Sequence, residues 1–240
     1  MRYRAIADEL RRRIDTGEMR AGGLLPSESE LSRSYGVSRV TVRKALELLR
    51  DEKLIDARQG FGWFVATDPL PQTLGRLGTI EEQLEELGVS SERRVIGFRF
   101  VASPPRVRRL LGVPSVLEVR RVNLADGQPF ARVTVWCPEE LGARLSRADV
   151  TREPFYELLG VPIGGATQTI GAEAASQEDA ELLAVPVGSP MLRCERVTRD
   201  ARHQPVLVSE FVFPAHRTEL VVELPRFEPS MGPSGLRLVE

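Results

Sequence analysis

The chain has 240 residues, 42% of them hydrophobic, with 33 Lys+Arg against 34 Asp+Glu and a formal net charge of −1. That length and apolar content exclude a disordered chain and predict two domains or one large one. No apolar run approaches the roughly 18 residues of a membrane span, and the opening MRYRAIADELRRR is charged with no signal-peptide core, so a cytoplasmic protein with no membrane partner is expected.

Residues 3–14 carry Ile6, Leu10 and Ile14 at intervals of four, with Gly17 as a stop, which predicts a supporting helix. A loop over 19–25 follows. Ser27 with Glu30 forms a capping box that opens a second helix, because the hydroxyl and the carboxylate satisfy free amides at its start. Gly36 supplies the left-handed residue favoured at a helix end, and Ser38 caps a third helix two residues later, so the pair must cross steeply. Val42, Ala45, Leu46 and Leu49 then fall at i, i+3, i+4, i+7, which turns one stripe inward and leaves Arg39, Thr41, Arg43, Lys44 and Arg50 outside.

A first turn that is cationic and hydroxylated suits a recognition helix, which reads bases mainly with its N-terminal residues. Arg39 and Arg43 are expected to read bases or adjacent phosphates, and Ser27, Ser38 and Thr41 to contact the backbone. Residues 54–57 and 61–65 predict two short strands around Gln59 and Gly60. They form a wing with Arg58 at its tip, laid along the minor groove or the backbone, and Gly60 lets it approach. Charge agrees, because residues 1–67 hold 13 Lys+Arg against 10 Asp+Glu and residues 68–240 hold 20 against 24. The run LPSESELSRSYGVSRVTVRKAL, then LI and GFGWFV, resembles the DNA-binding domain of the GntR family of bacterial transcription regulators, and Tyr3, Ile6, Ala7 and Leu10 match its first helix.

Pro69, Pro71, Gly75 and Gly78 without apolar period predict a linker over 68–78, after a winged helix-turn-helix domain of residues 1–67. Thr79 with Glu82 is a second capping box. It opens a helix with Ile80, Leu84 and Leu87 inward and Glu81, Glu82, Glu85 and Glu86 near its positive end or in solvent. Ile96, Phe98 and Phe100 alternate as a strand, and Pro104 and Pro105 then open a helix ending at Gly112. The amides of Ala102 and Ser103 before it are a candidate anion site.

Helices are expected over 139–145, 153–159 and 176–183, and strands over 163–173, 193–198, 206–213 and 220–224, the last completing an antiparallel sheet. Interleaved strands and helices of this kind argue for an α+β fold over 79–225, with a loose tail over 226–240. RVNLADGQPFARVTVWCP and RVTRDARHQPVLVSEFVFP resemble each other, with Gln128 and Gln204 aligned 76 residues apart; either a duplication or two ordinary hairpins explains this. Cys137 and Cys194 lack CxxC spacing, which favours buried thiols over a disulfide or zinc site. His203 and His216 are expected at the surface, and no metal or cofactor is expected.

The order of elements over 79–224, with RV-x-x-x-DGQPF and GAEAASQEDAELLAVPVGSPMLRCERVTRD, resembles the UTRA effector-binding domain of the HutC subfamily of GntR regulators, whose fold is similar to chorismate lyase. The resemblance implies a homodimer whose small-molecule effector alters how two winged helices sit on a palindromic operator in double-stranded DNA. It implies further that phosphorylated sugars in some members are held by amides equivalent to those of Ala102 and Ser103 and by an R-x-R pair. Here Arg121 matches the first arginine and Asn123 replaces the second. Val133, Pro154, Leu207 and Phe213 stand where the family has Glu, Ser, Glu and Tyr, while Tyr156 remains.

A buried sugar hydroxyl without a partner costs about 1–3 kcal/mol, so these losses point away from a sugar. Arg121 shares a strand face with Leu117, Val119 and Asn123 and, if inward, needs an anion from either the protein or a ligand. An apolar or aromatic acid is therefore expected as effector, held by Arg121 and Tyr156 beside Val133, Leu207 and Phe213. The alternatives are a constitutive dimeric repressor with a ligand-free second domain, or a lyase-like enzyme. No catalytic constellation supports the latter.

Overall fold

A computed structural model describes residues 2–58, 62–74 and 77–223. In the first domain α1 (Arg2–Asp15) packs across α3 (Arg39–Asp51), and α2 (Glu28–Tyr35) joins α3 through Gly36, which adopts φ 61°. Both caps form as the sequence requires: Ser27 and Glu30 bond each other's backbone amides, and the Ser38 hydroxyl accepts the Thr41 amide. Ile6, Ala7, Leu10, Leu31, Val42, Ala45, Leu46 and Leu49 make the core. The wing is β1 (Ile55–Arg58) paired antiparallel with β2 (Gly62–Val65), and Gly22, Gly23 and Leu25 add backbone bonds to the outer side of β2. Its tip at Gln59 and Gly60 lies outside the described residues, as does the expected tail over 226–240.

The second domain is built on a sheet whose order among the described residues is β4-β5-β6-β9-β8-β7, all antiparallel. Its strands are β4 (Ser91–Ala102), β5 (Ser115–Ala125), β6 (Gln128–Pro138), β7 (Ile163–Ala174), β8 (Pro190–Asp200) and β9 (Pro205–Pro214). Two helices, α5 (Pro105–Leu111) and α9 (Gln177–Leu183), each sit between the first two strands of a half. The halves β4-α5-β5-β6 and β7-α9-β8-β9 therefore repeat one another about the β6-β9 seam. The similarity of the two hairpin sequences is thus part of a longer strand-helix-hairpin repeat, which favours duplication over coincidence.

Both of these helices lie on one face, α5 against Val116, Val197 and Val208 and α9 with Val122, Met191 and Val212. The opposite face carries Leu117, Val119, Val133, Val135, Cys137, Cys194, Leu207 and Phe213. It is covered by α4 (Ile80–Glu86), α6 (Glu139–Gly142), α7 (Arg147–Arg152) and α8 (Phe155–Leu158). Cys137 and Cys194 are buried free thiols, and burial pushes them up to about 12 and about 11.

Several expectations change. Part of the expected linker is β3 (Leu70–Thr73), which pairs parallel with β10 (Thr218–Val221) in a separate two-stranded ribbon. The last strand therefore leaves the main antiparallel sheet, because its edge partner comes from the interdomain segment. A bulge between Val95 and Gly97 breaks the alternation of β4 and leaves Ile96 36% exposed. The helices expected over 139–145 and 153–159 shorten to α6 and α8, and α7, opened by a Ser146 and Asp149 capping box, was not expected. His216 is buried rather than at the surface, its ring edge-on to Phe64 at 5.2 Å.

That contact is part of a docked interface between the domains. Phe64 of β2 points away from the winged-helix core and joins Val122, Leu124, Ala180, Leu183 and Val212 of the second domain. Beside it Arg217 donates from Nε and Nη2 to the Gly22 carbonyl at 3.0 and 2.7 Å.

Candidate DNA-binding face and effector pocket

The N-terminal turn of α3 presents Arg39, Val40, Arg43 and Lys44 to solvent. Thr41 is half-buried, with its hydroxyl 2.9 Å from that of Ser38, so the two expected backbone-contacting hydroxyls form one hydrogen-bonded unit at the helix start. Ser27 sits exposed at the start of α2, its hydroxyl engaged with Glu30. Arg43 is held rather than free: Glu28 accepts its Nε and Nη2 at 2.9 and 2.7 Å. Trp63 of the wing donates to the same carboxylate at 3.3 Å. These hydrogen bonds, the one from Arg43 first, hold the Glu28 carboxyl below its ordinary value. Glu28 thereby ties α2, the recognition helix and the wing into one surface. Arg58, expected at the tip of the wing, is the last residue of β1, paired with Gly62.

In the second domain Arg121, Asn123, Val133, Leu207 and Phe213 share the helix-covered face of the sheet, all of them buried. Arg121, Leu207 and Tyr156 line one small cavity with Phe155, Ser209 and Arg196. Phe213 lines a second with Arg196, Gln168 and Phe211. Val133 is fully buried core and lines neither. Asn123 donates to Glu81 at 2.6 Å and so braces a protein side chain. The Ser103 amide is already spent on the Pro114 carbonyl at 2.8 Å, and α5 packs on the opposite face of the sheet. Ala102 and Ser103 therefore do not form an anion site beside Arg121.

Glu81, expected near solvent, is instead the counter-ion of this face. It accepts Arg93 Nε at 2.8 Å and lies 3.8 Å from Arg121 Nη2. Burial alone would raise its carboxyl, yet Arg121 and Arg93 together pull it down to about 2. Burial lowers Arg121 to about 10 against the pull of Glu81. Its Nε and Nη1 and the Asn123 Oδ1 are buried without a hydrogen-bond partner. Arg196, which the sequence reading missed, donates to Tyr156 Oη at 3.0 Å, to the Gly78 carbonyl and to Gln168, and lies over the Phe211 ring. One carboxylate thus answers Arg93 and Arg121, while Arg196 has none among the described residues. The cavities hold about 30 and 20 Å³, roughly one water each, and residues of the segment 78–80 line both.

Residues 2–65 match the bacterial regulatory proteins of the gntR family, and residues 86–219 match the UTRA domain. An HTH-type transcriptional regulator of Mycobacterium tuberculosis is 35% identical over 95% of this chain and 87% of its own length. The HTH-type transcriptional repressor NagR of Bacillus subtilis is 30% identical over 82% of this chain and 83% of its own. The crystal structure of PhnF from Mycobacterium smegmatis aligns with a TM-score of 0.62 at 25% identity, covering 91% of this chain and 98% of that one. The chain therefore belongs to the gntR family of bacterial regulatory proteins, as a DNA-binding transcriptional regulator with a UTRA effector domain.

Proposed function

We propose that the protein is a repressor that binds a palindromic operator as a homodimer and is controlled by a small apolar or aromatic acid bound over Arg121, Arg196 and Tyr156. The observation that carries the effector class is Arg121, buried with two guanidinium nitrogens unpartnered in a face holding more arginines than carboxylates. An acid would supply the missing acceptor and charge, whereas Leu207, Phe211 and Phe213 offer sugar hydroxyls nothing. Binding requires the segment 78–80 to move aside, which couples the pocket to the strand β3 that leads into it.

Arg39 and Arg43 read base edges or phosphates, Ser27, Ser38 and Thr41 position the backbone, and Arg58 and Gly60 bring the wing against the duplex. The dimer reading rests on β7, a twelve-residue edge strand largely exposed on both faces, with no proline or lysine to block pairing. On this reading the protein acts on DNA in the cytoplasm and is not an enzyme, which the regulator names of its relatives support.

The small cavity volume favours one other reading, a constitutive repressor whose pocket is filled by its own side chains. A thermal-shift screen of sugar phosphates against aromatic and aliphatic carboxylates, repeated on Arg121→Ala, separates the two. Stabilisation by a carboxylate in wild type alone supports the proposal. Stabilisation by a hexosamine phosphate, or by a carboxylate equally well without Arg121, contradicts it, and no stabilisation by any compound supports the ligand-free reading.

A further inference from the structure

A second, larger cavity lies away from this pocket, in the cleft between the domains. It measures about 520 Å³, within the range of small-molecule sites. The loop 20–22 of the winged-helix domain forms one wall, and Val89, Ala125, Pro129 and Phe130 of the second domain form another. Arg217 lies at its floor, 6% exposed.

A guanidinium has five N–H donors. Nε and Nη2 of Arg217 serve the Gly22 carbonyl and Nη1 serves the Pro129 carbonyl at 2.9 Å, which leaves one N–H on each terminal nitrogen. Nε is shared with the His216 ring, whose Nε2 lies 3.1 Å away. No carboxylate lies within ion-pair distance of it among the described residues, so a full charge is buried against two carbonyl dipoles and an imidazole. Burial lowers Arg217 to about 10, and no charged neighbour opposes the shift. Two carboxylates line the cleft as well. Asp126 is exposed and accepts the Ser90 amide, and Asp68 is exposed at the rim, so water screens both, whereas Arg217 is not screened. Arg20, whose Nη1 donates to the Gly127 carbonyl, adds a second cation at the mouth.

We infer that this cleft is a second ligand site, separate from the effector pocket, that takes a small carboxylate with a compact apolar body, its carboxylate on the spare N–H groups of Arg217. Apolar walls from the second domain receive the body. Such a ligand touches both domains at once, so its occupancy fixes how the winged helix is carried on the second domain. The inference does not depend on the identity of the ligand over Arg121.

The test uses full-length wild-type protein labelled with ¹⁵N, with phenylacetate as the probe and phenylacetamide as its uncharged counterpart. Phenylacetate should shift the amides of Gly22, Thr67 and Gly127 saturably, and phenylacetamide should bind at least tenfold more weakly. Ala21→Trp, an exposed substitution that fills the cleft, should abolish these shifts while leaving Arg217 in place. The same shifts should persist in Arg121→Gln, which distinguishes this site from the effector pocket. Absence of shifts at the cleft amides, equal binding of phenylacetamide, or undiminished shifts in Ala21→Trp would each overturn the inference.

Discussion

Arg43 on the recognition helix keeps 62% of its side chain in water against Glu28, whereas Arg121 in the second domain keeps 8% and has Glu81 at 3.8 Å. The two pairs teach different things about what an arginine is held for. An exposed pair is worth little and is screened by salt, so Glu28 can hand Arg43 to a phosphate or a base at small cost. A buried pair cannot be opened without leaving a desolvated charge, so Arg121 can change partners only when a ligand brings an anion into the site. The first arrangement suits reversible contact with a polyanion, and the second suits a switch.

Removing the buried counter-ion should have the largest effect. Glu81→Gln leaves Arg93 and Arg121 without a carboxylate and should destabilise the second domain by about 3–5 kcal/mol, read as a shift in urea midpoint. An unchanged midpoint would mean that the two pairs do not differ as described. The same glutamate gives a pH signature. Its folded pKa of about 2 lies below the ordinary 4.5, so its contribution is present above pH 4.5 and is lost as the pH falls toward 2. Wild type should lose stability across that window, and Glu81→Gln should lack this component of the loss.

On the DNA side, Arg39→Ala should weaken a selected operator by about 1–3 kcal/mol if it removes a bidentate base contact, with no change in unfolding midpoint. Ser38→Ala removes the cap of the recognition helix and should cost about 1 kcal/mol of stability. Glu28→Gln should be the mildest change to folding. It removes the charge and one oxygen of the acceptor that Arg43 and Trp63 share, and it should alter the salt dependence of operator binding more than the melting temperature.

How legible each region was in the sequence follows from the range of its interactions. Ser27 with Glu30, Gly36, Ser38 and the stripe from Val42 to Leu49 are local signals, and each formed where it was read. Arg121 on an inward face was legible through strand alternation. Its partner was not, because Glu81 lies 40 residues earlier on a helix whose other glutamates face water. Arg196 was missed for the same reason: its neighbours Gln168, Tyr156 and Gly78 meet only through sheet pairing and helix packing. The ribbon of β3 and β10 pairs segments about 148 residues apart, from Leu70 to Thr218, which no periodicity within either segment encodes. The amides of Ala102 and Ser103 looked free because the sequence does not show that Pro114 turns back to accept one of them.

The central claim is that an acid seated on Arg121 sets operator affinity. Its most direct test is fluorescence anisotropy of a palindromic duplex recovered by selection, titrated with wild-type protein and with Arg121→Gln. The titrations are run with and without the carboxylate that gives the largest Arg121-dependent thermal shift. The account predicts at least a tenfold loss of operator affinity for wild type at saturating acid, and no change for Arg121→Gln. Equal loss in both proteins, or release of wild type by a hexosamine phosphate instead, would contradict it.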